Sequence, residues 1–114
     1  MQNAKLFNQG FGTVEYLAAS YLDMDWHTIK GDAPKDVDAF ETQRMNALGL
    51  IPEIVPRYRS TYFAHIFSGG YSSGYYAYVW AEVIDADAFH AFKEAGLFDQ
   101  KTAERVREYN LSKG

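Results

Sequence analysis

Between His65 and Tyr78 the chain reads His-Ile-Phe-Ser-Gly-Gly-Tyr-Ser-Ser-Gly-Tyr-Tyr-Ala-Tyr, so that a histidine, a glycine pair and a run of tyrosines follow one another closely. A phenol donates and accepts hydrogen bonds, stays neutral at pH 7 with a pKa of about 10, and carries a rigid aromatic body. An imidazole donates to a developing oxyanion or holds a backbone carbonyl. Converging on one cleft, these groups suit stabilisation of acyl transfer or peptide hydrolysis. Gly69 and Gly70 allow positive φ and leave no side chain in the way of a ligand, which reads as a mobile or ligand-facing loop. With a helix from about Ser72, Tyr75 and Tyr78 share a face and Tyr71 lies just before it on the same side. The same pattern fits half-buried packing tyrosines with wet hydroxyl groups and a structural histidine. The stretch alone leaves both readings open.

Helical periodicity supplies the elements that must position these residues. Over residues 6–26, Phe11, Val14, Leu17, Ala18, Tyr21 and Leu22 recur at three- and four-residue steps, the pattern of an amphipathic helix. Gly10 and Gly12 weaken its beginning and put the firm start near Thr13. His27 closes it, where a protonated imidazole suits the helix dipole. A polar connector with Gly31 and Pro34 follows. Asp36 or Asp38 then caps a second helix to about Leu48, with Val37, Phe40, Ala47 and Leu48 on its buried side and Gly49 as its stop. Pro52 and Pro56 keep the next segment extended. Its Arg57 and Arg59 are candidates either for a substrate carboxylate or for ion pairs with the acidic helices.

Residues 60–67 read as a short helical turn leading into the glycine loop. The longest helix is expected over residues 73–94, with Tyr76, Trp80, Val83 and Ile84 on a packing arc and Tyr75, Tyr78 and Glu82 on an arc facing the cleft. Asp85 and Asp87, two apart, point in different directions and read as solvated rather than as a metal pair. His90 reads as a packing or surface residue. Gly96 ends this helix, and Asp99 or Thr102 starts a last one through about Tyr109. The expected fold is all-α, with antiparallel helices and a glycine-rich loop before the longest helix. Residues 1–114 are expected to form one partial domain with no internal boundary.

The string Tyr62-Phe63-Ala64-His65-Ile66-Phe67-Ser68-Gly69-Gly70-Tyr71, followed by Gly74-Tyr75-Tyr76-Ala77-Tyr78 and Trp80, resembles the C-terminal part of the thimet-oligopeptidase family of zinc metallopeptidases, in particular its bacterial peptidyl-dipeptidase branch. The flanks agree in order: Phe7-Asn8-Gln9-Gly10-Phe11, Thr13-Val14-Glu15-Tyr16-Leu17-Ala18-Ala19, Phe40-Glu41, Leu48-Gly49-Leu50-Ile51-Pro52 and Pro56-Arg57-Tyr58-Arg59-Ser60-Thr61. The resemblance implies a large helical enzyme that cleaves short peptides in a deep channel and, in that branch, releases dipeptides from free C-termini. It further implies that His65 is the active-site histidine near the scissile bond, that Tyr71, Tyr75 and Tyr78 face substrate with Tyr78 as oxyanion donor, and that Gly69 and Gly70 belong to the loop that closes on substrate. Ser68 and Ser73 depart from the residues usual in that family, without touching a functional group.

The main departure is an absence. An H-E-x-x-H helix sets two imidazoles one turn apart on one metal, with the glutamate acting on the water. The three histidines here are His27, His65 and His90, none so spaced. The resemblance therefore implies zinc in a longer enzyme, with ligands outside this chain and none bound by this segment, which by itself should not hydrolyse peptides. Both ends look cut from something longer.

The chain's 17% aromatic content is rich for 114 residues, and exposed apolar surface is expected of a segment whose neighbours lie elsewhere. The expected partners are short peptides and the remainder of a parent polypeptide, with a homodimer through exposed apolar surface as a further option. A net charge of -4 argues against nucleic acid. No apolar run of about 18 residues points to a membrane. Cysteine is absent, excluding disulfides and thiolate metal sites, and a cytoplasmic origin fits. Two rivals stand beside the peptidase segment: a non-catalytic helical module that binds peptides or itself, and a free-standing metalloprotein using His65, Glu82 and Asp85.

Overall fold

A computed structural model describes residues 6–113. Every regular element among them is helical: α1 (Gln9–His27), α2 (Val37–Ala47), a 3-10 turn (Ser60–Tyr62), α3 (Ala64–Phe67), α4 (Ala77–Ala95), α5 (Gln100–Val106) and a π-turn (Arg107–Leu111). The all-α expectation holds. Backbone contacts divide the chain into two compact units, Met1–Tyr76 and Ala77–Gly114.

The boundaries follow local chemistry. In α2, Asp36 is the cap, its carboxylate accepting from the Ala39 amide at 2.9 Å. The helix ends at Gly49, whose φ of 68° is the left-handed conformation that glycine adopts without strain. Likewise Gly96, at φ 121°, follows α4, and Asp99 caps α5 by accepting from the Thr102 amide at 2.7 Å. That bond holds the Asp99 carboxyl below the usual carboxylate range.

Two starts differ from expectation. The helix α1 begins at Gln9 rather than near Thr13, although Gly10 and Gly12 lie in its first turns. Both are exposed, and their cost of roughly 1 kcal/mol each is spread over a 19-residue helix. The helix α4 begins at Ala77 rather than Ser73, because residues 72–76 form turns whose amides point elsewhere. Tyr71 and Tyr75 therefore do not share a helical face with Tyr78. The arc carrying Trp80, Val83 and Ile84 is exposed rather than packed, and α4 has no fully buried residue.

The core of the first unit gathers Ala18, Ala19, Leu22, Met45, Phe63, Ile66 and Tyr75. Trp26 of α1 packs on Phe40 of α2 with ring centroids 4.3 Å apart and meets the edge of Phe67 at 5.9 Å. Arg44 of α2 reaches Asp25 of α1 at 2.5 Å. Buried Glu41 ties α2 to the segment before α3: its carboxylate accepts from the Ser60 amide at 2.7 Å and the Ser60 hydroxyl at 2.8 Å, and pairs with Arg59. That hydroxyl in turn accepts from the Trp26 indole at 2.8 Å. Glu41→Ala would leave the Ser60 donors and the buried Arg59 Nε unpaired in the interior, although the rest of the Arg59 side chain is part-exposed. The expected loss of stability is about 3 kcal/mol, read as a lower urea midpoint; an unchanged midpoint would show that the network adds nothing.

Candidate functional site

The short helix α3 carries His65 and ends in the glycine loop. Its C-terminal carbonyls organise that loop. The Ala64 carbonyl accepts from the Ser68 and Gly69 amides at 2.8 and 2.7 Å, the His65 carbonyl accepts from the Tyr71 amide at 3.1 Å, and the Ile66 carbonyl accepts from the Ser72 hydroxyl at 2.6 Å. Gly69 and Gly70 are solvent-exposed at the crest. Only Gly70 is left-handed, with φ 83°. At Gly69 the demand is steric, since a Cβ would stand 2.8 Å from the His65 Cα and 3.0 Å from its carbonyl oxygen.

Around His65 the loop assembles an aromatic cluster. The imidazole centroid lies 5.1 Å from the ring of Tyr58, 6.0 Å from Tyr75 in an edge-to-face arrangement, 6.2 Å from Tyr71 and 6.3 Å from Phe63. Tyr75 also meets the edge of Phe63 at 5.0 Å and packs against Tyr16 of α1 at 5.7 Å. These separations suit aromatic pairs that fix one another's orientation. Tyr75 is only 3% exposed, and its burial pushes the phenol above its usual pKa, with Arg57 opposing and Tyr58 reinforcing the shift. It remains a neutral hydrogen-bonding group throughout the physiological range. Tyr71 is on the surface, and His65 is half-buried between the two environments.

Of the residues singled out from sequence, His65, Gly69, Gly70, Tyr71 and Tyr75 thus come together in the first unit. Tyr78 stands half-buried in the first turn of α4, in the second unit. Arg59 is committed to Glu41, with Asp38 at 3.9 Å, while Arg57 is exposed with its guanidinium 5.7 Å from the Tyr58 ring centre. His27 occupies the last turn of α1 as expected. His90 lies on the surface near Glu94, and Asp85 and Asp87 are exposed.

Sequence reasoning missed Asp23. It is fully buried on α1, and its Oδ1 accepts from the Ser73 amide at 3.0 Å while its Oδ2 accepts from the Tyr75 amide at 2.9 Å. His27 Nδ1 lies 2.8 Å from Oδ1 and 2.8 Å from the Asp23 carbonyl oxygen. Both of those partners only accept, so Nδ1 carries the proton. The available signal was positional: Asp23 falls on the helical stripe of Tyr16 and Ala19, where a carboxylate without partners is unstable.

Among the described residues no group of three His, Asp or Glu side chains could hold a metal ion. A zinc ion therefore does not fit the described residues. No helix among them is long and apolar enough to cross a membrane.

Comparison with known proteins places the chain. The model of Peptidase family M3 matches residues 1–114. The chain is 47% identical over 116 residues to a dipeptidyl carboxypeptidase of Escherichia coli, a match covering 100% of this chain and 17% of that protein. It is 38% identical over 119 residues to the organellar oligopeptidase A of Arabidopsis thaliana, covering 97% of this chain and 15% of that protein. Over 52 residues, 46% of this chain, it is 50% identical to oligopeptidase A of Escherichia coli, 8% of whose length is covered. The chain thus spans less than a fifth of the length of these relatives.

Proposed function

The chain belongs to peptidase family M3, and from that premise we propose that it forms part of the substrate-binding wall of a zinc-dependent peptidyl-dipeptidase that releases dipeptides from the C-termini of short peptides. The observation that carries this reading is the gathering of His65, Tyr71 and Tyr75 around a glycine crest. His65 and Tyr78 donate hydrogen bonds to the oxyanion that develops on the scissile carbonyl, and Tyr71 and Tyr75 orient the peptide. Exposed Arg57, beside the cluster, is the cation assigned to the free carboxylate of the substrate. The zinc ligands are assigned to the remainder of the polypeptide, so this segment by itself is inactive.

The exposed apolar side chains support a covered role. Trp80, Val83 and Ile84 are more than half exposed along α4 and Phe89 close to half, and Leu97 and Phe98 beyond it are likewise exposed. Surface of this kind wants a neighbour. In the leading reading the rest of the polypeptide supplies it. The same surface favours a second reading, a helical module that associates with itself.

The deciding experiment measures dipeptide release from a blocked tetrapeptide with a free C-terminus, with zinc present. The chain is assayed alone and mixed with the remainder of the polypeptide, assembly being checked by sedimentation. Activity only in the assembled mixture is the expected result. Activity of the chain alone would overturn the assignment of the zinc ligands, and an assembled but silent mixture would favour the self-associating module.

A further inference from the structure

The turn that carries Tyr75 is held by a single side chain from a distant part of the sequence. Ser73 has φ 55°, a left-handed conformation uncommon for a residue with a side chain. Such a residue, followed by ordinary turn geometry, directs neighbouring amides to one side and forms a small anion-binding concavity. Here the Ser73 and Tyr75 amides converge on the two oxygens of Asp23, 50 and 52 residues earlier in the chain. The carboxylate is 0% exposed and accepts hydrogen bonds from these two amides, with His27 Nδ1 a further close contact 2.8 Å from Oδ1. Neither amide is spent on a helix, since α4 begins only at Ala77.

We propose that Asp23 is a positioning residue of the site: it fills the anion-binding turn at Ser73–Tyr75, holds Ser73 in its left-handed conformation, and thereby sets the backbone from which the Tyr75 ring reaches His65. Tyr16, seven residues before Asp23 and so on the same face of α1, backs the other side of that ring. One helix face thus fixes both the main chain and the ring of Tyr75. The far end of the loop is fastened separately, by the carbonyls of α3. The kinetic part of this inference rests on the reading of Tyr75 as a substrate-orienting phenol; the structural part does not.

Asp23→Asn is the informative change, because it keeps shape but turns one acceptor into a donor, which must then oppose a loop amide or the His27 N–H. In the unmodified chain, the Ser73 and Tyr75 amides should exchange with solvent deuterium at least tenfold more slowly than free turn amides, although no helix covers them. In Asp23→Asn that protection should fall about tenfold or more, relative to Leu22→Ala, a core change on the same helix that lowers stability without touching the turn. Unprotected amides in the unmodified chain, or equal protection in the two variants, would overturn the anchor.

In the assembled peptidase Asp23→Asn should lower kcat/KM for a short peptide about tenfold. Tyr75→Phe added to it should cost clearly less than Tyr75→Phe alone, because groups that act through one another are not additive. Additive losses would overturn the positioning role. If Tyr75→Phe is itself silent, the assigned role of Tyr75 fails instead, and the exchange measurement still decides whether Asp23 holds the turn.

Discussion

Tyr78→Phe should lower kcat of the assembled peptidase by about 100- to 1,000-fold while leaving the fold intact. The change deletes one hydroxyl and keeps the ring, so packing in the first turn of α4, where the side chain is half-buried, is preserved. The effect is large because a hydrogen bond to a developing oxyanion is stronger in the transition state than in the ground state. Loss of one such donor in a water-poor site typically costs about 100- to 1,000-fold. For the same reason KM should move little, since an interaction made mainly in the transition state contributes little to substrate affinity. Peptide turnover measured under saturating conditions, with circular dichroism as the check on folding, decides the matter. An unchanged kcat would remove Tyr78 from the oxyanion role, and a raised KM with kcat retained would make it a binding residue instead.

Much of the helical framework was legible because its signals are local. Asp36 and Asp99 cap the helices they precede, and Gly49 and Gly96 stop the helices they follow, each through a conformation or hydrogen bond spanning a few residues. The start of α4 was not legible for the opposite reason. Periodicity from Ser73 onward fits a helix, but the Ser73 and Tyr75 amides are taken by Asp23, and a partner some 50 residues away leaves no trace in a local pattern. That one interaction converts an expected helical face of tyrosines into a turn with a buried Tyr75. Glu41 was similarly opaque, since a glutamate on a short polar helix reads as solvated until Arg59 and Ser60 are brought against it. The gathering of His65, Tyr71 and Tyr75 was visible as a cluster in sequence. Its actual arrangement, with Tyr58 and Phe63 interleaved, depends on tertiary packing of the extended segment before α3.

Gly69→Ala should damage the site far more than Gly70→Ala, although Gly70 is the residue with the unusual backbone. At Gly70 the φ of 83° penalises any side chain, by roughly 1–2 kcal/mol, but the space around a new methyl is open. The loop can pay that cost in stability without moving its neighbours, and activity should fall less than tenfold. At Gly69 the backbone is ordinary and the obstacle is the chain itself: a Cβ would lie 2.8 Å from the His65 Cα, 3.0 Å from the His65 oxygen and 3.2 Å from the Ala64 oxygen. Those are main-chain atoms of α3 and cannot swing aside as a flexible side chain would. Relief requires that the crest lift away from α3 or that α3 move, and either motion strains the Gly69 amide's bond to the Ala64 carbonyl. Overpacking of this kind costs about 1–3 kcal/mol. The functional cost is larger, because the displaced atoms are those of His65, and a misplacement of about 1 Å in a catalytic constellation can cost about 100-fold. We therefore expect kcat/KM to fall about 100-fold in Gly69→Ala, with a urea midpoint lowered by no more than the overpacking term, a loss of the same order as that in Gly70→Ala. Equal activity losses in the two variants would mean that loop conformation, not the close approach of the crest to His65, sets the geometry of the site.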